Sequence, residues 1–385
     1  MSRYYSYLNS AEKILDAYDG KEPFALFLKK YFSLQKKFGS KDRKMISYIC
    51  YSLFRLGKMA SDIPLSERIK LGLFLCSNDS SPILELINPG WNEKIALPIE
   101  QKLSLTGHDL REVFPWKNEL SDDIDLDSFC RSFFIQPDLF IRIRPGFTEQ
   151  VLQKVKEITS DFEFIESATI RLPNGFKADQ YFDIDRELVI QDYSSQKVAD
   201  FFPADLPVNT KVWDCCAASG GKSIMAVDHL NNIELTVSDI RESILANLQK
   251  RFRSAGINNY RSILSDLSSL KPALPSNKFD LVIADVPCSG SGTWGRTPEQ
   301  LYYFDASKIE EYASLQKKII SNILPSVSKN GYLLYITCSV FKKENEEQVQ
   351  FILDKSGFKL IRMEIIRGYN QKADTMFAAL LKNEL

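Results

Sequence analysis

From residue 211 onward, short apolar runs alternate with longer amphipathic stretches, and this alternation constrains the fold more than any other feature. Strands are expected at 211–215, 234–238, 262–265, 281–285, 332–337 and near 376–381, and helices near 222–230, 241–255, 307–328 and 343–355. Runs as continuously apolar as Leu281-Val282-Ile283-Ala284 suit a strand buried on both faces. Repeated strand–helix units predict an α/β, doubly wound, Rossmann-like parallel sheet with helices on both sides. In such sheets ligands bind outside the carboxyl ends of the strands, so the loops found there hold the candidate chemistry.

Two of these loops carry a cysteine. Asp285-Val286-Pro287-Cys288-Ser289-Gly290-Ser291-Gly292-Thr293 follows one apolar run. Pro287 cannot donate to a sheet ladder, so the strand should end near Asp285. The glycines beyond it allow a substrate to come close. Tyr332-Leu333-Leu334-Tyr335-Ile336-Thr337-Cys338-Ser339 is a second apolar strand ending in a thiol. A lone cysteine on an apolar strand is usually a core residue. Cys338, however, is followed by Glu344-Asn345-Glu346 at a helix start. A helix N-terminus and a nearby Lys342 or Lys343 would favour its thiolate.

The first strand–helix turn reads Asp214-Cys215-Cys216-Ala217-Ala218-Ser219-Gly220-Gly221-Lys222-Ser223. Small residues opening a helix expose N–H groups to an anion. A phosphate-binding P-loop needs a glycine five residues before its second glycine, and Cys216 stands there; the Gly-x-Gly-x-x-Gly fingerprint is absent as well. A carboxylate-bearing nucleoside such as S-adenosylmethionine fits better. Asp239, ending the next strand, is placed to accept ribose hydroxyls, and Asp266, ending the third, to receive an adenine amino group. Each alone reads equally as a helix cap, and the loop alone as a tight structural turn.

Composition narrows the alternatives. The chain has 385 residues, enough for two or three domains, and 44% are hydrophobic, enough for proper cores. Seven cysteines, an odd number and without an export segment, predict reduced thiols rather than a disulfide framework. Only His108 and His229 are present, which argues against a zinc site and against Ser-His-Asp or Cys-His hydrolysis. No apolar run reaches the roughly 20 residues of a membrane span. The cytoplasm is the expected compartment.

Net charge is −1, but it is unevenly distributed. Residues 1–60 hold 12 Lys/Arg against 5 Asp/Glu, whereas residues 61–127 hold 6 against 13. A basic N-terminal face is the expectation, either a solvated helical surface or an RNA-facing patch. Residues 1–125 read as an all-α domain, with Ser10 and Ser40 as caps of helices rich in aromatic core positions. Cys50 and Cys76 fall on its apolar faces, as packing residues. The acidic stretch 119–127 reads as a boundary. Residues 126–190 read as a small α+β module with strands at 139–144 and 168–172, and residues 191–385 as the nucleoside-binding domain.

Together these motifs resemble the RNA cytosine-5 methyltransferases of the RsmB/NSUN (Nol1/Nop2/Sun) type. The similarity is carried by the 214–222 loop, the Asp285–Thr293 loop, and Thr337-Cys338-Ser339 with Glu344-Asn345-Glu346. The helical front, with Asp42-Arg43 leading into Tyr48–Arg55, is similar to a NusB-like RNA-binding domain. The sequence departs from the family at Ser219, where proline is usual, and at Arg142-Ile143-Arg144, which lacks the asparagine of Arg-x-Asn.

The resemblance implies S-adenosylmethionine as cofactor, bound by Cys216, Ala217, Ala218, Ser219, Gly220, Gly221, Lys222, Asp239, Asp266 and Asp285. It implies Cys338 as the nucleophile that adds to C6 of a cytosine, making C5 enamine-like. Cys288 would assist product release, Asp285 would face the cytosine ring, and Arg296 would contact RNA. The implied partner is RNA, small-subunit ribosomal RNA in particular, with no metal, no membrane and a monomeric enzyme. The rival readings are the same chemistry on transfer RNA, a catalytically silent RNA-binding or assembly factor, and, more distantly, a P-loop hydrolase.

Overall fold

The computed structural model describes residues 3–166, 168–230 and 232–384. The chain divides into two compact units. One comprises Met1–Asn118, Asp125–Gln136 and Thr293–Ala306, the other Glu119–Ile124, Pro137–Gly292 and Ser307–Leu385. No helix among the described residues is long and apolar enough to cross a membrane.

The first unit is helical: α1 (Arg3–Ala17), α2 (Phe24–Leu34), α3 (Ser40–Phe54), α4 (Leu65–Leu75), α5 (Pro82–Ile87), α6 (Pro89–Glu93), α7 (Ile99–Thr106) and α8 (Leu126–Ser132). Ser10 does not cap a helix. It lies mid-helix and donates to the Ser6 carbonyl at 2.7 Å. The helix starts earlier because Tyr7 is buried and donates to Asp42 at 2.6 Å. Ser40 is the first residue of α3, and the Asp42 carboxylate reaches back to accept the Gly39 N–H at 2.8 Å. Asp125, within the acidic stretch, caps α8 by accepting the Ser128 N–H at 2.8 Å.

The core is aromatic, as the pattern predicted: Tyr18, Phe24 and Phe54 pack with centroids 4.8–5.9 Å apart. Of the early basic residues, Arg55 is interior and donates to the Phe133 carbonyl at 2.9 Å. Lys13, Lys29, Lys30, Lys36, Lys37, Lys41, Arg43 and Lys44 are exposed.

The second unit begins with an antiparallel sheet of order β2-β3-β1-β4, from β1 (Leu139–Ile143), β2 (Glu163–Glu166), β3 (Thr169–Leu172) and β4 (Leu188–Ile190). Helix α9 (Thr148–Ile158) covers one face, burying Val151 and Val155 against Ile141, Ile143 and Ile170. Arg142 and Arg144 of this sheet and the loop after it turn inward to a buried Asp228, at 2.6 and 2.8 Å. Burial holds the Arg142 guanidinium below its usual range despite the Asp228 charge.

After α10 (Tyr193–Lys197) comes the main sheet, with β5 (Lys211–Asp214), β6 (Glu234–Asp239), β7 (Tyr260–Leu264), β8 (Phe279–Asp285), β9 (Val327–Thr337), β10 (Phe358–Ile366) and β11 (Met376–Asn383). Among the described residues its order is β10-β11-β9-β8-β5-β6-β7. Strands β9, β8, β5, β6 and β7 are parallel, giving the Rossmann-like core. The sheet is not wholly parallel. β10 was not anticipated, since 359–364 is partly charged, and it forms an antiparallel edge with β11.

Helices α11 (Gly221–His229), α12 (Glu242–Ser254), α14 (Ser307–Ile323) and α15 (Glu346–Lys355) connect the strands, while α13 (Pro298–Tyr303) belongs to the helical unit. Strand order reverses between β5 and β8. A crevice forms at such a switch point.

Candidate active site

The carboxyl ends of β5, β6, β7, β8 and β9 border a cavity of about 540 Å³. Its wall includes Cys216, Ala218, Asp239, Asp266, Asp285, Cys288 and Cys338, so seven of the expected residues meet in one place. Ala217 is buried behind it and packs in the sheet's core. Ser219 turns away, its hydroxyl accepting from Arg251 at 3.0 Å. Arg296 lies in the 293–306 segment of the helical unit.

The loop after β5 is stitched to the end of β6. Ala217 donates its N–H to the Ser238 carbonyl at 2.9 Å, and Ala218 donates its own to the Asp239 carboxylate at 3.0 Å. Ala218 (φ 46°) and Gly220 (φ 85°) both take left-handed backbone. A Cβ on Gly220 would meet Phe252 Cε1 at 2.6 Å, so this glycine is needed for packing on α12 as well as for its turn. At Gly221 a Cβ would meet nothing within 4 Å.

The Ser223 hydroxyl donates to the fully buried Asp214 at 2.6 Å, and Lys222 reaches Asp285 at 3.2 Å and the Ser195 hydroxyl at 2.8 Å. In a P-loop the corresponding lysine and hydroxyl face phosphates. Here both are committed to protein partners, which disfavours that chemistry. Burial lifts the Asp214 carboxyl to about 7, opposed by the Ser223 bond.

At the nucleoside end, Asp239 accepts the Arg241 N–H at 2.9 Å. One Asp266 oxygen accepts from Ser268 N–H and hydroxyl at 2.9 and 2.6 Å, leaving the other oxygen for a ligand amine. Ile240, 58% exposed, and Leu267, Leu315 and Ile319 supply apolar walls. Carboxylates with apolar flanks and an N–H-rich turn are the donor set a nucleoside with an amino-acid tail requires. The residues therefore fit S-adenosylmethionine. Sequence reasoning missed Ile240, Leu267, Ser268 and Tyr312, which lie one to four residues past strand ends or on α14.

At the other end the Cys288 and Cys338 sulfurs lie 3.3 Å apart. All seven cysteines are free. The neighbouring Cys338 sulfur, burial and then the Glu344 charge push the Cys288 thiol well above its ordinary range. Lys343 points elsewhere, to Glu310 at 3.4 Å, and α15 starts only at Glu346. Behind the sulfurs sits a buried polar cluster. Ser289, Ser291 and Ser339 hydroxyls lie 3.1–3.3 Å apart, and Asn345 donates to the Ser339 carbonyl at 2.9 Å.

Residues 205–381 match the family model described as 16S rRNA methyltransferase RsmB/F. This segment is a methyltransferase domain of the RsmB/F family. The family is S-adenosylmethionine-dependent, in agreement with the donor set above. Ribosomal RNA small subunit methyltransferase B of Xanthomonas campestris is 30% identical over 44% of this chain and 39% of its own length. The probable ribosomal RNA small subunit methyltransferase B of Bacillus subtilis is 26% identical over 68% of this chain and 59% of its own. The chain thus spans between about two fifths and three fifths of these RsmB relatives. The crystal structure of PH0851 superposes with TM-score 0.70 over 94% of this chain and 95% of that one, at 18% identity, a likeness of fold.

Proposed function

We propose that this protein transfers the methyl group of S-adenosylmethionine to C5 of a cytosine in RNA, and that the RNA is 16S ribosomal RNA of the small subunit. One contact supports this above all: two thiols 3.3 Å apart, in the same cavity as Asp239 and Asp266. A methyltransferase acting on an already nucleophilic nitrogen or oxygen has no use for such a pair. Cytosine C5 is a poor nucleophile until a thiolate adds to C6.

In this proposal Cys338 makes the C6 bond. Once C5 is methylated, Cys288 in its thiolate form takes the C5 proton, the C5–C6 double bond reforms, and Cys338 leaves as a thiolate. Asp285 faces the ring, held by Lys222. When bound, S-adenosylmethionine supplies an electrophilic methyl group. The protein's own part is to bind, orient and activate the base, which must be unpaired or flipped out to reach the cavity.

The helical segment 1–125 is proposed as a NusB-like RNA-binding domain, with its exposed lysines contacting phosphates, and 126–190 as an RNA-binding module. Arg296 is proposed as an RNA contact. Residues 191–385 are proposed as the methyltransferase domain, and the enzyme as a cytoplasmic monomer without a metal. Binding of this kind weakens with salt. The relatives named for the small subunit support ribosomal RNA over transfer RNA.

Bisulfite sequencing of RNA from cells with and without the gene tests the proposal. A single small-subunit cytosine should lose protection in the deletion. Loss confined to transfer RNA, or no loss anywhere, would overturn the substrate assignment.

A further inference from the structure

Glu344 is completely buried, and no basic side chain pairs with it among the described residues. Its carboxylate is instead surrounded by N–H and O–H donors. One oxygen accepts the Ser289 N–H at 2.7 Å, and the other the Ser339 hydroxyl at 2.9 Å. Ser289 directly follows Cys288, and Ser339 directly follows Cys338. A single carboxylate therefore holds the residue after each thiol.

Gln316 of α14 completes the arrangement. Its amide donates to the Pro287 carbonyl at 3.0 Å and to Glu344 at 3.4 Å. Cys288 is thus bracketed by the carbonyl before it and the N–H after it, both fixed by the Glu344–Gln316 pair. The Tyr335 hydroxyl anchors the Glu344 main chain, donating to its carbonyl at 2.7 Å.

Counting protons orients the serine cluster. Ser339 Oγ accepts the Phe341 N–H at 3.0 Å and spends its one proton on Glu344. Ser291 Oγ accepts the Val340 N–H at 2.9 Å and so donates toward Ser339, with Ser289 donating toward Ser291. Every O–H then points along one chain that ends at the Glu344 carboxylate. A protonated Glu344 would reverse that chain, because its other oxygen meets donors only.

We propose that Glu344 is a positioning residue for the two-thiol site: with Gln316 it clamps the backbone on both sides of Cys288 and ties it to the loop of Cys338. The proposal rests on the covalent chemistry above. It places the effect on the release step, since Cys288 is gripped on both sides and Cys338 on one. Glu344→Gln keeps the shape, retains an acceptor for Ser289, and reverses the serine chain.

The test uses the full-length protein, tritiated S-adenosylmethionine and small-subunit ribosomal RNA transcribed in vitro. Glu344→Gln should give about one methyl transfer per enzyme, then turnover slowed at least tenfold. A protein–RNA adduct stable to denaturing gels should accumulate, with S-adenosylmethionine Kd and RNA KM within about twofold of the parent. Gln316→Leu should do the same more mildly, and decides the matter if Glu344→Gln does not fold. Wild-type turnover without adduct in the folded variants overturns the clamp, and so does an equal loss of cofactor binding. Cys338→Ala in the same assay separates the two ideas. If it is inactive while Glu344→Gln behaves as wild type, only the clamp fails; if it methylates normally, the covalent chemistry fails with it.

Discussion

Gly292 donates its N–H to the Cys338 carbonyl at 2.9 Å and accepts the Thr375 N–H at 2.8 Å. The glycine that ends the Cys288 loop is thus the backbone support of the Cys338 loop. A Cβ here would collide with the Thr375 carbonyl and lie 3.0 Å from that of Cys338. Neither neighbour is a side chain that can swing aside. Gly292→Ala should cost about 2–3 kcal/mol of stability and most of the methyl transfer. Gly221→Ala, where the Cβ meets nothing, should stay within about 0.5 kcal/mol of the parent. Thermal denaturation of the two variants side by side checks this.

Asp228 answers two arginines at once, Arg142 buried and Arg144 partly so. Removing one partner of a buried ion pair leaves uncompensated charge inside the protein. Asp228→Ala should therefore destabilise by about 3–5 kcal/mol. Urea unfolding measures it, and a loss under about 1 kcal/mol would show that the arginines find other partners.

Asp214 gives a pH signature. Its carboxyl is lifted from 3.8 to about 7 by burial. A raised carboxyl favours the fold while protonated, fully so below its unfolded value. That contribution is lost as pH rises from about 4 through 7. The lift corresponds to about 4 kcal/mol. Asp214→Asn keeps an acceptor for Ser223 and cannot ionise. Its stability relative to the parent should climb between pH 4 and 7 and level off above. A difference independent of pH would contradict the lifted carboxyl.

Asp266 is exposed at the cavity, and its bonds to Ser268 are local. Asp266→Ala should weaken S-adenosylmethionine about fivefold, or about 1 kcal/mol, with the melting temperature unchanged. Isothermal titration gives the first quantity and a thermal melt the second.

The parallel core was legible because buried strands read as unbroken apolar runs, as in Leu281–Ala284, and because Pro287 and the small-residue loops mark where strands stop. β10 was not, since Lys359, Arg362 and Glu364 on an edge strand break the apolar pattern. Ser10 misled because a serine just ahead of the apolar positions Ala11, Ile14, Leu15 and Tyr18 looks like a cap whether it starts a helix or bonds back to residue 6. The cavity's carboxylates and thiols could be listed from strand ends. Their supports could not. Glu344 read as part of a helix start, yet its side chain folds back to Ser289, 55 positions earlier. No local pattern encodes a contact over that distance. Gln316 and Ser195 were invisible for the same reason.

The central claim is that the two thiols divide the labour, Cys338 forming the bond to the base and Cys288 breaking it. It is tested by incubating Cys288→Ala and Cys338→Ala with small-subunit ribosomal RNA and S-adenosylmethionine and running both on denaturing gels. Cys288→Ala should run as a stable protein–RNA adduct, and Cys338→Ala should give neither adduct nor methylated RNA. Methylated RNA from Cys338→Ala, or an adduct from that variant instead of Cys288→Ala, would contradict the account.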